Sequence, residues 1–187
     1  MIFQTERLIA RPWSLNDAES AFRMYGNPEV MRFLGASGAA STLPSVEAMR
    51  ERLGIIIQRF IDEPELKGYF HAALERKEDR QIVGTTMLKP IPFSSGGAAT
   101  DIEVGWHLIP EFWGHGYATE SGRGAIDYGF GTLGLFEIQS VAYADNGPSL
   151  KVMQRLGLQY LGPTDKYYGI EIEHYRITRE AWTTPSK

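Results

Sequence analysis

The stretch that most constrains this chain is residues 110–120, Pro-Glu-Phe-Trp-Gly-His-Gly-Tyr-Ala-Thr-Glu. An extended run, 101–109, leads into it and a helical pattern, 118–130, leads out. Gly114 and Gly116 flank one residue, and an aromatic, a small residue and a helix former follow. This is a strand, a tight glycine turn and a helix start. The turn presents backbone N–H groups at the positive end of a helix dipole, which makes it a seat for phosphate.

The elements around it follow from periodicity. Residues 6–13 alternate as a first strand, and a helix entered at Ser14 with Asp17 three residues on runs to about Tyr25, before Gly26-Asn27-Pro28. One further short helical turn is expected over 30–34 and a Gly/Ala/Ser loop over 35–44. Val46, Met49, Leu53, Ile56, Ile57 and Phe60 fall at helical spacing across 45–62. Strands at 68–75 and 81–88 form a hairpin about the polar turn 77–80, and residues 90–100 are a loop. Small residues on one side of helix 118–130 allow close approach to a sheet. Then come strand 136–144, helix 146–156, a short strand 158–161, a long final strand 168–177 and a tail at 186–187. Antiparallel hairpins in the first half and a β-α-β-α-β unit in the second imply an α/β (α+β) fold. We expect a single domain over 1–187, with one mixed sheet and helices on both faces.

Composition removes several function classes. A formal net charge of −4 argues against a general nucleic-acid binder. With no cysteine, there is no disulfide, zinc thiolate site or Cys nucleophile. The four histidines, at 71, 107, 115 and 174, are scattered and form no ligand-spaced pair, so no metal is expected. No apolar run is long enough for a membrane span, and the first seven residues carry no charged-then-apolar signal pattern, so a cytoplasmic protein is the default expectation.

The glycine turn admits three nucleotide readings. A P-loop would end in Gly-Lys-Ser/Thr, which is missing here. A Rossmann fingerprint would need Gly or Ala where Thr119 stands, and it would not follow an antiparallel hairpin. What remains, Trp113-Gly114-His115-Gly116-Tyr117-Ala118-Thr119-Glu120, resembles the acyl-CoA pyrophosphate loop of the GNAT superfamily of N-acetyltransferases. Gly116 and Ala118 fill the last two places of its Gln/Arg-x-x-Gly-x-Gly/Ala pattern. Trp113 in place of Gln or Arg is similar to the RimJ/RimL-like subgroup, and His115 stands where that subgroup has Lys. Residues 146–158, Asn-Gly-Pro-Ser-Leu-Lys-Val-Met-Gln-Arg-Leu-Gly-Leu, resemble the family's second signature. Thr5-Glu6-Arg7-Leu8-x-x-Arg11 resembles the subgroup's start.

The resemblance implies a GNAT-like domain of about seven strands, with 101–109 and 136–144 splayed apart in the middle of the sheet. It implies acetyl-CoA as co-substrate, its pantetheine pairing with backbone near His107, Leu108 and Ile109. The loop Trp113, Gly114, His115, Gly116, Tyr117, Ala118 and Thr119 would hold the pyrophosphate. Asn146 would touch the pantetheine arm, and Lys151 and Arg123 could reach phosphates. A backbone N–H near His107 or Leu108 is the candidate oxyanion donor. Glu103 is the candidate base, against a solvated carboxylate on an exposed strand. Many family members protonate the leaving thiolate with a Tyr seven residues after the Asn; here that position is Met153, and Ser149 is the substitute acid, with helix cap as the equal alternative. Glu171 and Glu173, sharing a face of the last strand, would favour a cationic acceptor if they point into the cleft.

The expected activity is acetyl transfer to a primary amine by direct attack in a ternary complex. The subgroup implies the N-terminal α-amine of a protein or peptide. The alternatives are a small amine (antibiotic, polyamine or amino acid) and a non-catalytic acyl-CoA-binding protein. A monomer or a homodimer is compatible with the edge strands.

Overall fold

Alternation along the central strands sorts their side chains onto two faces, and helices cover both. The computed structural model describes residues 1–35 and 41–183. Its strands are β1 (Phe3–Gln4), β2 (Leu8–Pro12), β3 (Phe70–Arg76), β4 (Ile82–Pro90), β5 (Ile102–Leu108), β6 (Glu137–Ala142), β7 (Gln159–Thr164) and β8 (Ile172–Thr178). They form one eight-stranded sheet in the order β1-β2-β3-β4-β5-β6-β8-β7. Neighbours are antiparallel except β5 and β6, which run parallel.

The helices are α1 (Ala18–Tyr25), α2 (Pro28–Met31), α3 (Val46–Asp62), α4 (Tyr117–Gly131), α5 (Gly147–Arg155) and α6 (Arg179–Thr183). Helix α4 lies against one face of the sheet. A Cβ on Gly129 would come within 2.7 Å of Ile138 and 3.2 Å of Leu88, and one on Gly122 within 2.8 Å of Leu156 and 3.2 Å of Trp106. Glycine at these two positions is what lets the helix lie so close. Tyr25 of α1 covers the opposite face, its ring edge-on to His107, and α3 packs on α1 through Met49 and Leu53.

The structure differs from the sequence reading at several boundaries. The sheet has eight strands rather than about seven, because β1 is a two-residue strand too short for any alternation to show. The last strand begins at Ile172 rather than at 168, since Tyr168 and Gly169 both adopt positive φ (60° and 71°) and turn the chain there. Strand β7 runs on to Thr164 past a bulge between Tyr160 and Gly162. The expected helix from Ser14 begins as a 3-10 turn, Leu15–Asp17, before α1. Of the expected loop 35–44, positions 36–40 lie outside the described residues, as does the tail at 186–187.

A buried ion cluster ties β2 both to the helix entry after it and to β3. Arg11 donates to Asp17 through two nitrogens, at 2.8 and 2.9 Å, and to Glu75 of β3 at 2.7 Å. Both carboxylates are buried. Burial pushes the Asp17 carboxyl up, but hydrogen bonds from Arg11 and from the Ser14 N–H outweigh this and hold it below its ordinary 3.8. Its contribution to stability is therefore complete above that value and is lost as pH falls through the lowered one. Replacing Arg11 by Leu leaves two buried carboxylates without this partner. Urea denaturation at pH 7 should show a loss of about 3 kcal/mol or more.

Candidate active site

The site begins where the sheet fails to close. β5 and β6 pair at a single register position, Glu103 opposite Gln139. One step further, the Ser140 hydroxyl donates to the Val104 carbonyl at 3.0 Å. Beyond it the strands part around a cleft of about 2080 Å³. The expected splay between 101–109 and 136–144 is thus present.

Strand parity decides which backbone groups face the gap. The carbonyl of Val104 is met from β6, and that of Leu108 accepts from the Trp113 indole at 2.9 Å. The Gly105 carbonyl instead accepts from Thr86 of β4, and Ile109 N–H donates to Val83 at 3.0 Å. Backbone groups of alternate residues point to the same side. Trp106 and Leu108 therefore turn their N–H groups to the gap, while His107 and Ile109 turn theirs to β4. This narrows the expected pantetheine-pairing segment to Leu108 with Trp106. Ile109 is fully buried and stays out of the cleft, and His107 enters it by its ring.

The glycine loop closes one end. Gly114 and Gly116 have φ of 79° and 82°, and nothing lies within 4 Å of a Cβ built on Gly114. Gly116 is the N-cap of α4 and offers no side-chain cap, so the first N–H groups of the helix remain for a ligand. The opening Thr5-Glu6-Arg7 holds the loop in this pose. Arg7 donates to the His115 carbonyl (3.0 Å) and to Glu120 of α4 (2.6 Å), and Thr5 also donates to Glu120 (2.5 Å). Trp113, Gly114, Gly116, Tyr117, Ala118 and Thr119 line the cleft. The His115 side chain does not; its ring stacks on Tyr117. Open space at Gly114, the uncapped N-terminus of α4 and the cations Arg123 and Lys151 in the cleft lining fit a diphosphate.

Across the gap, Asn146 caps α5, its side-chain oxygen accepting from Ser149 N–H at 3.3 Å. The cap of α5 is therefore Asn146 rather than Ser149, and Ser149 is among the residues that line the cleft. Met153, at 1% exposure, occupies the place of the usual acid.

On the face covered by α1, two polar groups come together that sequence reading did not assemble. Glu103, only 8% exposed, accepts through Oε2 from the Tyr168 hydroxyl and from Lys89 Nζ (3.3 Å). It is not a solvated carboxylate on an exposed strand. Beside it, the Tyr25 hydroxyl lies 3.3 Å from both His71 and His107. Burial holds His71 down at about 3 and His107 at about 4, with the charge of Lys89 acting on both in the same direction. Both rings are neutral near pH 7. Two of the four scattered histidines are thus neighbours, brought together by the pairing of β3, β4 and β5. The signal that would have found them is parity: once the register is known, His71, Lys89, Glu103 and His107 share one face. Glu171 and Glu173 do not line the cleft. Glu171 is exposed and Glu173 accepts from Tyr160, so the condition under which the pair would favour a cationic acceptor is not met. Among the described residues no cluster of side chains has the makings of a metal site, and no helix is long and apolar enough to cross a membrane.

Comparison with known proteins agrees with this geometry. An N-acetyltransferase of Bacillus subtilis called YoaA, itself uncharacterized, is 30% identical over 166 residues, covering 89% of this chain and 87% of its own. The structure of Mycobacterium smegmatis RimJ in complex with CoA-disulfide superposes with a TM-score of 0.78 at 17% identity, over 97% of this chain and 89% of that one. Ribosomal-protein-S5-alanine acetyltransferase from Vibrio fischeri gives 0.71 at 18% identity, over 97% and 98%. The family model described as an acetyltransferase (GNAT) domain matches residues 7–159, from the Arg7 clamp through the splayed strands to the start of β7, and this chain therefore belongs to the GNAT family of acetyltransferases.

Proposed function

We propose that this acetyltransferase uses acetyl-CoA and acetylates the N-terminal α-amine of a peptide or protein by direct attack in a ternary complex, with Glu103 as base. The observation that carries the reading is the position of Glu103. It is a buried carboxylate on the acceptor-facing side of β5, at the point where the sheet opens.

Acetyl-CoA supplies an acetyl thioester whose leaving group is a thiolate. The glycine loop would hold its diphosphate, and Trp106 and Leu108 turn amides toward the arm. The Leu108 N–H, turned to the gap, would stabilise the oxyanion. The amine nitrogen forms the new C–N bond with its lone pair, and the C–S bond breaks. The nitrogen's proton passes to Glu103 and on to water, and the thiolate takes a proton from the Ser149 hydroxyl, which regains one from water. An α-amine of pKa about 8 is roughly one-tenth neutral at pH 7, whereas a lysine amine of about 10.4 asks far more of the base.

The Vibrio fischeri neighbour, named for a ribosomal-protein alanine, supports a peptide amine as the first acceptor to test.

Release of free coenzyme A, measured across peptides with free α-amines and a set of polyamines and aminoglycosides, tests this. Peptides should turn over fastest. Tight acetyl-CoA binding without turnover on any amine would overturn the reading.

Three variant predictions accompany it. Glu103→Gln should lower kcat/KM by about 10²–10⁴ while leaving the Kd for acetyl-CoA, read by calorimetry, unchanged. Gly116→Val should abolish acetyl-CoA binding in the same assay, because a β-branched residue does not sustain φ near 82°. His115→Ala should change binding by less than about threefold, because the loop works through backbone N–H groups.

A further inference from the structure

Two loops outside the family motifs are locked to each other beside Glu103. Ser94 N–H donates to the Lys166 carbonyl (2.8 Å), Gly169 N–H to the Ser94 hydroxyl (2.8 Å) and Tyr168 N–H to the Pro92 carbonyl (3.2 Å). The Tyr167 ring stacks on Phe93, centroids 5.9 Å apart, and its hydroxyl donates to Asp101 at 2.6 Å. Ile91, Tyr167 and Ile172 form a small separate core beneath.

The lock leaves Tyr168 in the left-handed region at φ 60°, a conformation an aromatic residue holds only when its surroundings impose it. Its hydroxyl is thereby delivered to Glu103 Oε2. Lys89 Nζ reaches the same oxygen at 3.3 Å and the Tyr168 hydroxyl at 3.1 Å. The hydrogen bonds that Tyr168 and Lys89 make to this carboxylate both fall on Oε2, and Glu103 lines the cleft.

We propose that Tyr168 and Lys89 are positioning residues for the reaction: together they tie down Glu103 Oε2, so that Oε1 is the oxygen that takes the amine's proton. This rests on the reading of Glu103 as base. The proton moves from the acceptor nitrogen to Oε1, directly or through one water, while both donors keep their own protons. Burial and the adjacent Glu103 charge push the Tyr168 hydroxyl far above its ordinary range, so it remains a donor throughout.

The titratable groups around the carboxylate are Lys89 on β4, Tyr168 and Lys166 in the β7–β8 connection, and His174 on β8 behind Gln139. Asp101 and His107 lie along its own stretch of chain. Only Lys89 and Tyr168 touch it among the described residues.

The test is steady-state kinetics with a hexapeptide bearing a free Ala α-amine. Tyr168→Phe keeps the ring and removes the donor, and should lower kcat by about tenfold with KM and the Kd for acetyl-CoA unmoved. Lys89→Met should lower kcat independently, and Lys89→Arg should restore it. If both Tyr168→Phe and Lys89→Met leave kcat in place while Glu103→Gln is inactive, the positioning role is wrong and the base reading stands. If Glu103→Gln is fully active, the base reading falls and this proposal falls with it.

Discussion

The molecule depends on a pairing that is almost not made. β5 and β6 share one register position, and the sheet holds across it through the Ser140–Val104 bond and through α4, which spans both strands from one side. Parallel neighbours usually pair along their length and bury both faces. Here the pairing stops after one step, and the Trp106 backbone and the Leu108 N–H are left turned to a gap, while the Leu108 carbonyl accepts from Trp113. Unpaired backbone in a partly buried place is costly unless something meets it, so the opening is intelligible as a place for an extended ligand. Gly122 and Gly129 permit the close helix contact that keeps two half-sheets in one body.

The loop at the mouth of the gap is held from a distance in sequence. Glu120 is held by Thr5 and Arg7, and the same Arg7 turns the His115 carbonyl toward itself. With that carbonyl engaged, the N–H groups of the loop and of the first helical turn are left for an anion. Charge-assisted bonds of this kind are short and directional, which suits a role in orientation. The opening Thr-Glu-Arg, the glycine turn and the Thr-Glu after it are thus parts of one clamp.

The sheet face covered by α1 carries its polar side chains in two groups of different character. Tyr25, His71 and His107 form a neutral floor, since burial keeps both imidazoles uncharged. Glu103, Tyr168 and Lys89 form a charged group. An imidazolium that gives up its proton so readily leaves a neutral ring that is a poor acceptor for an ammonium proton. The interlocked loops 91–97 and 165–170 lie farthest from any recognisable pattern, yet they govern what Glu103 touches.

Local pattern alone determined a good deal. The glycine turn between a strand and a helix, the α3 spacing, the β3–β4 hairpin and the Ser14–Asp17 helix entry all follow from neighbours within a few residues, where steric and hydrogen-bonding rules are strong. The family resemblance followed from the same local stretches, and with it the expectation that the sheet would splay at 101–109. The remainder needed register. Whether His107 offers its backbone or its ring is decided by which side of β5 faces β4. His71 and His107 meet because two antiparallel pairings bring them under Tyr25. Glu171 and Glu173 alternate correctly and still point elsewhere, because parity says that two residues share a face without saying which face. Tyr168 lay outside any motif, since its place depends on a left-handed turn imposed by a loop seventy-odd residues away in sequence. Periodicity is a property of the chain, whereas the pairing of one strand with another is a balance of packing over the whole sheet, and only the folded structure reveals how that balance falls.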